Sequence, residues 1–246
     1  MAPDLMASLD RDGFTIARQA ASPDGVEGLA AATSSDSTGP GARIHRSSIF
    51  GRRNLLEVAK VRALASGPRL GRIVQAILGK DAFAVRALFF DKTPQANWQL
   101  GWHQDRAIAV RERHEVPGYG GWSVKSGVPH VLPPAEILAG MLTVRLHLDP
   151  CDASHGALQV LPGSHRQGFL PEESLRAARS SPDTVWCEVE AGDAVIMRPL
   201  LAHASGRCEK PAHRRVVHVE YASSPLPSPL EWFDVVPTQT DAAASL

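Results

Sequence analysis

Apolar residues change period once along this chain, near residue 80, and the change divides the predicted elements into two groups. Before it the spacing is helical. Segments 4–11 and 23–33 predict short helices around Gly13-Phe14-Thr15-Ile16, and Ser22-Pro23 supplies an N-cap followed by proline at the first helical position. Segments 55–65 and 68–78 carry apolar residues at intervals of three and four. Leu70, Ile73, Val74, Ile77 and Leu78 form one stripe, which predicts core packing. Ser34 to Gly41, rich in Ser, Gly and Thr, predicts a flexible connection.

After residue 80 the period falls to two. Ala82 to Asp91 predicts a strand. Residues 140–149 alternate, with Leu142, Val144, Leu146 and Leu148 on one face and Thr143, Arg145 and His147 on the other. Further strands are expected over 156–161, 184–190, 194–198 and 213–221, with a short helix over 172–178. Residues 106–133 contain Pro117-Gly118-Tyr119-Gly120-Gly121, Gly127 and Pro129, and predict a long insertion acting as a lid loop. Pro225, Pro227 and Pro229 predict an irregular tail across the surface. Short strands between turn signals indicate a mainly β sandwich or barrel. With no internal repeat or linker, residues 1–246 are expected to form one domain, with 1–80 as helical support and 82–221 as the β core.

Composition mainly excludes. The length suffices for a substantial core. Lys plus Arg equal Asp plus Glu, at 26 each, so no basic surplus points to nucleic acid or an anionic membrane. Apolar runs fall far short of the roughly 18 residues of a membrane span. Met1-Ala2-Pro3-Asp4-Leu5 lacks the pattern of a secretory signal. Cys151, Cys187 and Cys208 are an odd number at unrelated spacings, which suits a reducing compartment. The expectation is a cytoplasmic protein acting on a small molecule, with an oligomeric state that the sequence does not reveal.

Trp102-His103-Gln104-Asp105 adds chemistry to this outline. A histidine and a carboxylate two residues apart share one side of an extended strand. With one distant histidine they make the two-histidine, one-carboxylate set that holds Fe(II) on one face and leaves the others open to substrate and O2. The pair follows a predicted buried strand and precedes a long insertion, as metal sites at strand ends often do. An exposed or merely hydrogen-bonded pair is the plainer alternative. His155, His165, His203, His213 and His218 all lie downstream. His203 is preferred because Arg214 follows at a distance that allows a turn and an adjacent strand. Arginine grips a carboxylate through two parallel hydrogen bonds, as a dicarboxylate co-substrate bound to iron at its other end requires. A surface ion pair is the ordinary role of such an arginine.

Together with Gly156-Ala157-Leu158-Gln159-Val160-Leu161-Pro162-Gly163-Ser164-His165 and His203-Ala204-Ser205, these motifs resemble the phytanoyl-CoA dioxygenase family of Fe(II)/2-oxoglutarate-dependent oxygenases. The resemblance runs from about residue 82 to 221, and Asp12-Gly13-Phe14 also looks familial. It implies a double-stranded β-helix, that is, a cupin-like jelly-roll barrel with N-terminal and flanking α-helices. It further implies His103, Asp105 and His203 as iron ligands, and Arg214 with Ser205 as the 2-oxoglutarate site. The implied reaction consumes O2, hydroxylates an unactivated C–H bond of a metabolite and releases succinate and CO2. His165 ends a turn in that family and is not a ligand. The carboxylate at Asp105 argues against halogenation, since related halogenases have Ala or Gly there, whereas desaturation and epimerisation stay open.

The chain also departs from the family. His155 stands where relatives commonly have Asn, and Arg145 where many have an aromatic residue, often Trp. If its face is interior, Arg145 contacts co-substrate or an anionic substrate; if exterior, it is simply solvated. Arg86 poses the same question. Trp122 either covers substrate or packs the insertion down, and Arg106, Arg111, Arg113 and Lys125 read as solvated charges. Specificity is expected in 106–133, Arg43 to Asn54, and Trp232-Phe233. Two other classes remain as alternatives: a redox-inert cupin-type metal enzyme (isomerase or hydrolase), and a non-catalytic metal- and 2-oxoglutarate-binding barrel.

Overall fold

The structure is a computed structural model that describes residues 2–33, 42–45, 48–209 and 212–240. The expected connection Ser34 to Gly41 lies outside the described residues, as do the side chains from Arg43 to residue 49. Among the described residues, two antiparallel sheets face each other as a jelly roll. The larger has eight strands. Along it run Phe14–Ala17, Ala194–Met197, Leu142–His147, Val216–Ala222, Phe83–Phe90, Ser48–Arg52 and Ala42–His45, and Val236–Pro237 also pairs with Phe83–Phe90. The smaller sheet runs Val185–Cys187, Leu158–Val160, His203–Ser205, Leu100–His103.

Helices Ala2–Asp12, Pro23–Thr33, Ala59–Ser66 and Pro68–Leu78 cover the outer face of the larger sheet. There Leu70 and Val74 of the predicted stripe pack against Leu142, Val144, Leu146, Val217, Val219 and Tyr221. Burying each such side chain contributes about 1.5–3 kcal/mol. Because strand side chains alternate, this arrangement turns Thr143, Arg145 and His147 towards the barrel interior. The apolar face of the sheet therefore meets the helices, and its polar face lines the cavity.

Two expectations are corrected. Residues 106–133 are not an irregular loop. They fold into a three-stranded sheet of Ile108–Ala109, Val128–Leu132 and Gly120–Lys125. Lys125 pairs with Val128 across Ser126-Gly127, whose φ values of 52° and 80° suit a two-residue primed turn matching the twist of the strands. The proline-containing tail is not merely laid on the surface. Leu226, Leu230 and Trp232 are buried with Ile108, Val110 and Val131, and the chain then adds Val236–Pro237 to the large sheet. Between the first two helices, Phe14–Ala17 adds an edge strand paired with Ala194–Met197.

Candidate metal centre

His103 ends the Leu100–His103 strand and sits directly opposite His203 on the neighbouring strand, so the two imidazoles form a cross-strand pair with ring centroids 4.1 Å apart. Asp105 follows just beyond the strand end, held by its backbone N–H donating to the Pro199 carbonyl at 2.9 Å. Its carboxylate lies 3.9 Å from His103 Nε2 and 3.8 Å from His203 Nε2. Single ligand atoms of these three residues all fall within 4.8 Å of one another. Gln104 points the other way and clamps the turn. Its Nε2 donates to the carbonyls of Gly168 (2.8 Å) and Leu200 (2.7 Å), and its Oε1 accepts from the Leu170 N–H (2.9 Å).

Second contacts set the tautomers. His103 Nδ1 donates to the Gly101 carbonyl and His203 Nδ1 to the Leu201 carbonyl, each at 2.8 Å. Both protons are thereby fixed on Nδ1, which leaves both Nε2 lone pairs free to face Asp105. Burial, with His103 close by, pushes His203 down to about 3, so its ring is neutral. Burial alone would raise the Asp105 carboxyl, but the positive charge facing it, the Arg86 guanidinium included, holds it below the ordinary carboxylate range. One Asp105 oxygen, Oδ2, is buried without a hydrogen-bond partner. Two imidazoles presenting Nε2, one ionised carboxylate and an unsatisfied oxygen suit a divalent transition metal.

Behind this set lies a cluster of cations. Lys92 and Arg214 follow and precede paired strands and exchange backbone hydrogen bonds, Lys92 N–H to Arg214 O at 3.3 Å and Arg214 N–H to Lys92 O at 3.2 Å. Both side chains reach Ser205, whose Oγ accepts from Lys92 Nζ at 2.8 Å and from Arg214 Nη2 at 3.2 Å while donating to the Gly156 carbonyl at 3.0 Å. Lys92 also donates to the Gly206 carbonyl. Trp98 closes the site, with Lys92 Nζ 4.9 Å and Arg214 Cζ 5.8 Å from its ring centroid. Neither cation has a carboxylate within 4.0 Å among the described residues, and Arg214 Nε is buried without a partner. Burial, reinforced by the Arg214 charge, brings Lys92 down to about 7. Gly156 makes room for this contact: its φ is +69°, and a Cβ there would stand 2.5 Å from Gly206 O and 3.0 Å from Lys92 Nζ.

The remaining residues singled out from sequence separate clearly. Arg145 faces inward: with His103, Asp105, His203, Ser205, His218 and Trp98 it lines a cavity of about 50 Å³. Arg86 also turns inward but forms an ion pair with Glu220. Trp122 lines neither cavity nor metal set. It packs within the insertion, with Arg113 Cζ 5.5 Å from its ring centroid. Trp232 is buried and donates to the Ser224 carbonyl. His165 packs into the space beside Gly13, 2.4 Å from where a Cβ would sit. His155 and His213 pair with Asp152 and Asp91. Lys92, Trp98, His147 and Glu220 were missed; a lysine directly after an apolar strand was the one available signal. A larger groove of about 590 Å³ beside Trp186 and Arg176 shares only Leu100 and Ser205 with the cavity, and the ligand set lies outside it.

Comparison with known proteins gives concordant matches. The family model described as phytanoyl-CoA dioxygenase (PhyH) matches residues 9–216. The peroxisomal phytanoyl-CoA dioxygenase of Rattus norvegicus is 23% identical over 170 residues, covering 64% of this chain and 44% of that protein. The chain thus spans less than half the length of the curated relatives it matches. Among solved structures, EctD from S. alaskensis with 2-oxoglutarate and 5-hydroxyectoine has a TM-score of 0.71 at 19% identity, covering 98% of this chain and 88% of that one. The non-heme alpha-ketoglutarate-dependent epimerase SnoN from nogalamycin biosynthesis has a TM-score of 0.63 at 17% identity, with 97% and 95% covered. Within the described residues, no helix is long and apolar enough to cross a membrane.

Proposed function

The chain belongs to the phytanoyl-CoA dioxygenase family, and from that premise we propose that it is an Fe(II)- and 2-oxoglutarate-dependent oxygenase that hydroxylates an unactivated C–H bond of a small-molecule substrate. The observation carrying this reading is the convergence of His103, Asp105 and His203 in front of a buried pair of cations that, among the described residues, have no carboxylate within 4.0 Å. His103, Asp105 and His203 would hold the metal. Arg214 and Lys92 would hold the far carboxylate of 2-oxoglutarate, and Ser205 positions both cations. Iron, co-substrate and O2 supply the oxidising chemistry: substrate C–H, 2-oxoglutarate and O2 become alcohol, succinate and CO2.

The chain's own contribution is placement. The carbonyls of Gly101 and Leu201 hold both imidazoles in the ligand tautomer, and Gln104 fixes the turn that presents Asp105. Leu88, Phe90, Trp98 and Leu158 form the apolar wall of the cavity. The carboxylate at Asp105, where related halogenases have Ala or Gly, favours oxygen transfer over halogenation.

Anaerobic protein given Fe(II) and 2-oxoglutarate should develop a weak visible charge-transfer band, and admitting O2 should release succinate. His203→Ala should lose the band, whereas Arg214→Gln should keep metal binding and require far more 2-oxoglutarate. Full metal content without any band or succinate release would favour a redox-inert metal enzyme instead.

A further inference from the structure

Building on that oxygenase reading, we infer that Arg145 forms a second carboxylate-binding subsite inside the metal cavity, separate from the Arg214–Lys92 pair, and that its ligand is a carboxylate of the primary substrate or the metal-end carboxylate of the co-substrate. Arg145 is only 6% exposed and lines the same cavity as His103, Asp105 and His203. Among the described residues its one side-chain hydrogen bond is from Nη1 to His218 Nδ1 at 3.0 Å, and its Nε is buried with no partner. Among the described residues, no carboxylate stands within 4.0 Å of it.

Apart from Asp105, which shares the cavity and whose charge the metal would take up, the residues around it do not supply the missing charge. Because His218 Nδ1 accepts from Arg145, the ring proton sits on Nε2 and is donated to Glu220 Oε1 at 3.2 Å. Glu220 is already neutralised by Arg86. The chain of contacts from Arg86 through Glu220 and His218 therefore ends at Arg145 with one positive charge unmatched. Burial, and the positive charge of Arg214, lower Arg145 to about 10, still far above neutrality, so the group stays charged. His147, two residues along the same strand face, is 1% exposed and has neither ring nitrogen hydrogen-bonded. Phe90 flanks the guanidinium, its centroid 5.8 Å from Cζ.

A buried, oriented and unmatched guanidinium is a carboxylate receptor, since its planar fork matches the two oxygens. Charge counting favours the primary substrate as the source. A divalent metal with Asp105 retains one positive charge, enough for the near carboxylate of 2-oxoglutarate, while Arg214 and Lys92, carrying between one and two charges, more than match the far one without Arg145. Arg145 is left for an organic acid.

The test uses protein saturated with Mn(II), comparing wild type with Arg145→Gln and Arg145→Lys. One arm measures 2-oxoglutarate affinity by calorimetry. The other, at saturating 2-oxoglutarate, reads thermal stabilisation by acetate and benzoate against acetamide and benzamide. If the substrate supplies the carboxylate, wild type prefers the acids. Arg145→Gln then loses that preference by about tenfold or more, as expected for a charge-assisted hydrogen bond, and keeps its 2-oxoglutarate affinity. A comparable loss of 2-oxoglutarate affinity, with acids and amides equal, assigns the carboxylate to the co-substrate. The subsite is overturned if Arg145→Gln matches wild type in both arms. Should Arg145→Gln fail to fold by circular dichroism, Arg145→Lys, which keeps the charge and loses the fork, decides by the same readings. Failure of the oxygenase reading looks different: wild type itself would show no metal-dependent 2-oxoglutarate binding.

Discussion

Lys92 gives 2-oxoglutarate binding a dependence on pH whose sign and size follow from the structure. The side chain is fully buried, and burial beside Arg214 brings it down to about 7, so near neutrality it is half protonated. Only the ammonium form attracts a carboxylate. Affinity should therefore be highest below pH 7 and fall about tenfold for each unit above it, which amounts to roughly 20-fold between pH 6.5 and 8.5. In the unliganded chain the sign reverses. The unfolded lysine titrates near its ordinary value, so the unfolded state binds more protons between about pH 7 and 10, and stability falls as pH drops through that window. Bound 2-oxoglutarate should offset the penalty. The measurement is calorimetric titration of the Mn(II)-loaded protein from pH 6.5 to 8.5, with Lys92→Met alongside. Lys92→Met should bind more weakly at pH 6.5, by about 1.5–3 kcal/mol, and its affinity should be flat with pH. A flat wild-type profile, or a sloping one that persists in Lys92→Met, would refute the assignment.

Two further outcomes test the supporting geometry. Gly156→Ala puts a Cβ against Gly206 O and Lys92 Nζ at a left-handed φ, so it should cost about 1–3 kcal/mol of stability and weaken 2-oxoglutarate binding; unchanged values in both melting and titration would remove Gly156 from the site. Gln104→Ala strips partners from the Gly168 and Leu200 carbonyls and the Leu170 N–H, at about 3 kcal/mol or more, which lowers the melting temperature by roughly 6–12 °C and loosens metal binding. Melting curves with and without Mn(II) read both effects.

Much of the fold was visible along the chain because its local signals agree. The stripe on 68–78 and the alternation over 140–149 each commit one face to the core, and both pack as that pattern requires. Residues 106–133 misled because glycine and proline punctuate them. Read at finer grain, Lys125-Ser126-Gly127-Val128 is a hairpin signal, and the structure makes it one.

The sequence by itself determined which chemistry was available: His-x-Asp, a later His203 and a following Arg214, in an order consistent with one strand-borne site. It could not say which face of the 142–147 strand was interior, because an apolar face can meet either a barrel cavity or a layer of helices. Tertiary structure decided that. The helices claim Leu142, Val144 and Leu146, so Arg145 and His147 are driven inside, and a question that alternation left open becomes a buried cation beside the metal ligands. Lys92 became part of the site for the same reason. Its role depends on meeting Ser205 and Arg214 across 113 and 122 positions of chain, and such long-range contacts arise only when the sheets close on each other.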